Sequence, residues 1–114
     1  MTTQPIAAAF LAAVLLAAVP AAQARAEDRV FTLTIKDHRF DPATIEVPAG
    51  QRIKLTVRNQ DTTAEEFDSY DLNREKVIPG SSEGIVFIGP LDPGSYQFMG
   101  EFHADTAQGK VVAK

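Results

Sequence analysis

The chain has 114 residues, with 11 basic and 15 acidic side chains, a net charge of −4 and no cysteine. The missing thiol excludes disulfides, a thiolate nucleophile, an iron–sulfur cluster and a thiolate-ligated copper. The negative balance argues against nucleic acid and anionic lipid, since both require local positive charge.

The first predicted element is Ile6 to Val19, an uncharged apolar run of 14 residues ended by Pro20, too short to span a bilayer comfortably. Two overlapping Ala-x-Ala sites follow in "AQARA", which predicts a cleaved export signal over 1–26. Its n-region, "MTTQP", carries no Lys or Arg; an uncleaved anchor is the alternative. Cleavage after Ala26 leaves residues 27–114, a length that fits one compact domain with no direct membrane insertion. The leader holds one charged side chain, Arg25, so this domain carries 10 basic and 15 acidic groups.

"VFTLTIK" sets Phe31, Leu33 and Ile35 against Thr32, Thr34 and Lys36, the period of two of a half-buried strand. Pro42, Pro48 and Gly50 then divide the chain into turns around a short strand at Ile45 to Val47. "RIKLTVRN" repeats the alternation, with Ile53, Leu55 and Val57 predicted inward. "NQDTTAEE" is a polar connection into "EFDSYDL", and "NREKVIPGSSEG" connects onward to "IVFIGPL", "DPGSYQFMG" and "GKVVAK". No helical period is sustained; a single turn of helix is conceivable near "LNREK" or "ADTAQ". Six to eight short strands with Pro and Gly turns predict an all-β fold, an antiparallel β-sandwich.

Three segments, in this order, resemble the cupredoxin family: "FDPATIEVPAGQRIKLTVRN", "LDPGSYQF" and "GEFHADTAQGKVVA". The resemblance spans nearly all of Phe31 to Ala113 and implies a Greek-key sandwich. It also implies four copper-ligand positions. The cysteine position falls on Gly100, the methionine position on Ala107 and the early histidine position on Glu65, while the second histidine position is His103. One ligand of four is kept, which excludes a blue-copper carrier of the thiolate type. "AEEFDSYDLNREKVIPGSS" together with "GEFHADTAQG" is similar to a subgroup associated with bacterial periplasmic iron uptake. That similarity implies a periplasmic protein binding one transition-metal ion, copper or iron. It also implies a periplasmic metal-binding protein and a membrane permease as partners, and leaves open a ferroxidase-type turnover.

The candidate metal-binding residues are Glu65, Glu101 and His103, with Met99 and His38 as outer candidates. Alternate residues of a strand lie about 7 Å apart on one face, so Tyr96, Phe98 and Gly100 share one side, Met99 and Glu101 the other. A chain extended through Phe102 would aim Glu101 and His103 at one point. Parity with Phe67 favours Glu65 over Glu66. One imidazole with one or two carboxylates suits Fe, Cu(II), Mn or Zn, and hard oxygen donors favour the ferric state. The competing readings stay open: a loop histidine at 103, a solvated acidic pair at 65 and 66, a packing role for Met99, and for His38 a turn position held by Asp37. No serine triad or phosphate loop is present. The alternative function is a metal-free sandwich docking on a membrane or periplasmic partner.

Overall fold

The computed structural model describes residues 2–4 and 28–114; the expected signal at 1–26 lies outside these apart from 2–4. No helix among the described residues is long and apolar enough to cross a membrane. Among the described residues nine strands run in chain order: β1 (Arg29–Lys36), β2 (Arg39–Asp41), β3 (Thr44–Val47), β4 (Ile53–Asn59), β5 (Glu65–Ser69), β6 (Arg74–Ile78), β7 (Ser82–Ile88), β8 (Gly94–Gly100) and β9 (Gln108–Ala113). They form two sheets, ordered β2-β1-β4-β7 and β3-β9-β8-β5-β6. The all-β sandwich is therefore present. Most neighbouring strands are antiparallel, and each sheet adds one parallel pair, β1 with β4 and β3 with β9.

The apolar alternation explains which side of each strand turns inward. Leu33 and Ile35 of β1 and Ile53, Leu55 and Val57 of β4 are completely buried, while Thr34, Lys54 and Thr56 between them are half-buried and Lys36 and Arg58 just beyond them face solvent. Near one end of the sandwich three rings interlock. Phe40 meets Phe98 edge-on at 5.0 Å between centroids and Phe67 at 6.3 Å, and Phe67 lies 5.1 Å from Phe98. Edge-on and offset contacts of this kind add to area burial.

Two local features depart from the sequence reading. Residues 74–78, expected within a connection, form β6, paired antiparallel to β5 at the edge of its sheet. Four of its five side chains are exposed and only Ile78 points inward, so an edge strand of this kind carries no alternation to read. The one turn of helix among the described residues, a 3₁₀ turn over Glu101–His103, falls just before "ADTAQ" rather than within it. At the β1–β2 hairpin, Lys36 pairs with Arg39 and the two turn residues, Asp37 and His38, have φ of 53° and 57°. Positive φ at both central residues is the signature of the type I′ hairpin turn, whose twist matches that of the strands.

Phe67 is completely buried and touches both other rings. Phe67→Ala is expected to destabilise the domain by about 3–5 kcal/mol. A urea titration should show a lower midpoint with an unchanged slope.

Candidate metal centre

Glu65 opens β5 on the inward parity shared with Phe67 and Ser69. Its side chain is 1% exposed, an environment in which a carboxylate needs full hydrogen bonding. That requirement is met. Oε1 accepts the amides of Glu66 at 3.0 Å and Phe102 at 2.9 Å, and Oε2 lies 2.6 Å from His103 Nδ1. Glu66, its neighbour, faces outward, which settles the parity choice between the two acids.

Room for the carboxylate comes from Gly100. A Cβ at this position would stand 2.6 Å from Glu65 Cδ and 2.7 Å from Ala107 Cβ. The backbone there, φ −92° and ψ 106°, is open to any residue. Glycine is needed for space, not for conformation. Three positions that the resemblance assigns to copper ligands, Gly100, Ala107 and Glu65, thus pack together, and the fourth, His103, closes the group through its bond to Glu65. The carboxylate fills the volume beside the position where a thiolate would project.

The loop from Glu101 to Ala107 is bound tightly to its own ends. The Gly100 amide donates to Ala107 O at 2.8 Å, and the Thr106 and Ala107 amides both donate to His103 O. His103 retains 25% side-chain exposure. Its ring stacks on His38, with centroids 3.5 Å apart and planes inclined by 13°. The structure therefore brings Glu65, His103 and His38 together. It does not bring in the other two candidates. The 3₁₀ turn breaks the extended path through Phe102, leaving Glu101 exposed beside Glu66. Met99 is 40% exposed and pairs with Asp68 on the outer face of its sheet. The His38 turn is held by an acid, but by Asp61 and not Asp37: Asp61 Oδ1 and Oδ2 accept the amides of Asp37 and His38 at 2.8 and 3.0 Å. Asp61 lies within "NQDTTAEE", where nothing but its polarity marked it.

A carboxylate accepts from Nδ1–H, and in the neutral ring this tautomer places the lone pair on Nε2. This carboxylate–imidazole arrangement is the one that fixes tautomer and ring direction in metal-binding histidines. A thiolate-ligated copper does not fit, because the chain has no cysteine. A borderline ion accepting imidazole nitrogen does fit at His103 Nε2. Both Glu65 oxygens already serve protein donors, so the carboxylate acts here on the ring's orientation. The stacked rings direct their in-plane lone pairs along nearly parallel planes, so His38 must turn to share an ion. Accordingly, no group of three or more acids or histidines among the described residues stands ready to enclose one.

Residues 7–113 match the cupredoxin-like domain family, and the chain belongs to that family. It is 46% identical over 80 residues to an uncharacterized protein of Rickettsia prowazekii (strain Madrid E), a match covering 70% of this chain and 64% of that protein. The chain thus spans less than two thirds of this relative's length. Among solved structures it resembles auracyanin A, a blue copper protein of Chloroflexus aurantiacus, with TM-score 0.64 and 15% identity over 75% of this chain and 98% of that one. The metal-binding domain of the Streptococcus pneumoniae Cu(I)-exporting P-type ATPase, solved with Cu(I), gives TM-score 0.64 and 14% identity over 75% and 84%. A purple cupredoxin of Nitrosopumilus maritimus gives 0.57 and 17% over 73% and 98%. At these identities the likeness is one of fold.

Gly100→Ala should force the tethered Glu65 carboxylate aside. The expected loss is about 1–3 kcal/mol, as for overpacking elsewhere, with a weakened Nδ1–H bond seen in the imidazole NMR signals. A second expectation concerns Glu66. Its carboxyl is pushed above the ordinary value of 4.5, first by partial desolvation, then by the like charges of Glu101 and Glu75, a hydrogen bond to Glu101 and the charge of Asp68. A raised carboxyl value means that the ionised form weakens the fold, and the penalty fades as pH falls through the folded value. Glu66→Gln should therefore raise the melting temperature at pH 7, and the gain should disappear below pH 4.5, where Glu66 is protonated in both states.

Proposed function

We propose that this protein handles a transition-metal ion through His103 Nε2, with Glu65 orienting the ring and His38 completing the donor set by turning out of the stack. The observation that carries the reading is the buried Glu65–His103 pair at the family's ligand positions in a chain without cysteine. A bound copper or iron ion would supply Lewis acidity and a one-electron couple. The protein's own contribution is to hold the imidazole in one tautomer, keep the carboxylate dry and leave the ring edge open to solvent. Glu101 and Met99 have no part in this centre.

Iron is the proposed cargo, in the periplasm, in the service of a periplasmic metal-binding protein and a permease, with copper-assisted oxidation of ferrous iron as the activity. Support for this comes from the similarity of "AEEFDSYDLNREKVIPGSS" and "GEFHADTAQG" to iron-uptake cupredoxins and from the apolar leader sequence. A metal-free docking module is the second reading. It is favoured by the lack of a preformed three-donor cluster among the described residues.

Titration of the purified, metal-free protein with Cu(II), Fe(II) and Zn(II) separates the two. Near-stoichiometric binding that weakens by about tenfold or more in His103→Ala, as for disrupted metal shells elsewhere, with β-sheet circular dichroism unchanged, is the expected result. Equal affinity in wild type and His103→Ala would remove the site assignment. Oxygen uptake with ferrous iron tests turnover: Glu65→Ala should slow it, and identical rates would reject the oxidation step.

A further inference from the structure

The second imidazole owes its place to groups outside the donor set. His38 sits in the left-handed region, φ 57°, where glycine or asparagine would be cheaper. The type I′ turn requires that conformation of residue 38, and holding a histidine in it presents the ring to the neighbouring loop. Its peptide is gripped from both sides. Asp61 Oδ2 accepts the His38 amide at 3.0 Å while Oδ1 accepts that of Asp37, and Thr106 Oγ1 donates to the His38 carbonyl at 2.6 Å. Thr106 belongs to the loop that carries His103, and its amide donates to the His103 carbonyl. One residue therefore ties the two histidine backbones together.

Asp61 is itself anchored in the interior. Its amide donates to Oδ1 of Asn59, a buried residue ending β4, whose Nδ2 reaches the carbonyls of Thr63 at 2.8 Å and Ile78 at 3.2 Å. The same asparagine thus fixes Asp61 below His38 and the segment that enters β5 at Glu65. The Asp61 carboxyl lies below its ordinary value of 3.8, chiefly through the His38 amide, with the Asp37 amide adding to it against the opposing effect of burial.

We propose that Asp61 is a positioning residue that, with Thr106, clamps the His38 peptide beside His103, so that the ring stacks on His103 in the metal-free protein and, by turning about its own side-chain bonds from that fixed backbone, reaches the same ion when one binds. The part concerning metal affinity rests on the reading given under Proposed function; the part concerning ring placement does not.

Two measurements on the full chain test it. In the metal-free protein, the His38 ring protons should show the upfield shift of a stacked imidazole. Asp61→Ala should move them to values of an unstacked histidine while the amide spectrum stays dispersed, and Thr106→Val, a change at an exposed position, should move them part of the way. Ring shifts unchanged in both variants would overturn the clamp, and Thr106→Val alone decides the matter should Asp61→Ala fail to fold. The second measurement is a double-mutant cycle in Zn(II) affinity. Asp61→Ala should weaken binding by about threefold or more, a coupling typical of contacting residues, and should have no further effect once His38 is alanine. An equal loss in both backgrounds would overturn a role exercised through His38. A wild-type protein that binds none of the ions defeats the proposed function, and the ring shifts still decide the clamp.

Discussion

A carboxylate with 1% exposure is tolerable only where every lone pair that matters meets a donor, and the site end of this sandwich is arranged around meeting that condition for Glu65. Taking a charged group out of water costs several kcal/mol unless partners compensate. The compensation comes from three directions: the next residue of β5, the amide that follows Glu101, and the imidazole of His103. Each supplies a constraint in return. The 3₁₀ turn must bring Phe102 N–H to the carboxylate, His103 must face it with Nδ1, and residue 100 must have no side chain.

The same interaction accounts for the packing at the positions that the resemblance assigns to copper ligands. With glycine at 100 and alanine at 107, a single glutamate at 65 fills the space between them and keeps His103 oriented through a hydrogen bond. The imidazole edge stays accessible, with 25% of the His103 side chain exposed.

Much of this was legible in the sequence, and the reasons are local. Strict alternation at Ile53, Leu55 and Val57 and at Leu33 and Ile35 marks strands because one face of each meets the core. Parity with Phe67 identified Glu65 as the inward acid, and the parity of Phe98 and Gly100 placed Met99 outward. Edge strand β6 escaped because four of its five side chains face solvent. Glu101 was misplaced because a change from extended chain to 3₁₀ turn leaves no hydrophobic trace in three residues. The stack of His38 on His103 joins residues far apart in the chain, and Asp61 supports it from a third segment. Proximity of that kind is set by topology, which periodicity cannot express.

The parallel pairing of β3 with β9 has a consequence for how the site comes into being. Thr44 lies opposite Lys110 and Val47 opposite Ala113, and β9 also supplies the partner for β8. Contacts between such distant segments close late, since loop-closure entropy opposes them until other structure is in place. His38, Asp61 and Glu65 are synthesised well before the strand that locks the His103 loop beside them. During vectorial emergence of the chain, these side chains exist as separate, solvated groups. The Glu65–His103 bond and the His38–His103 stack are therefore acquired at the last step of folding, when the final strand closes the loop beside them.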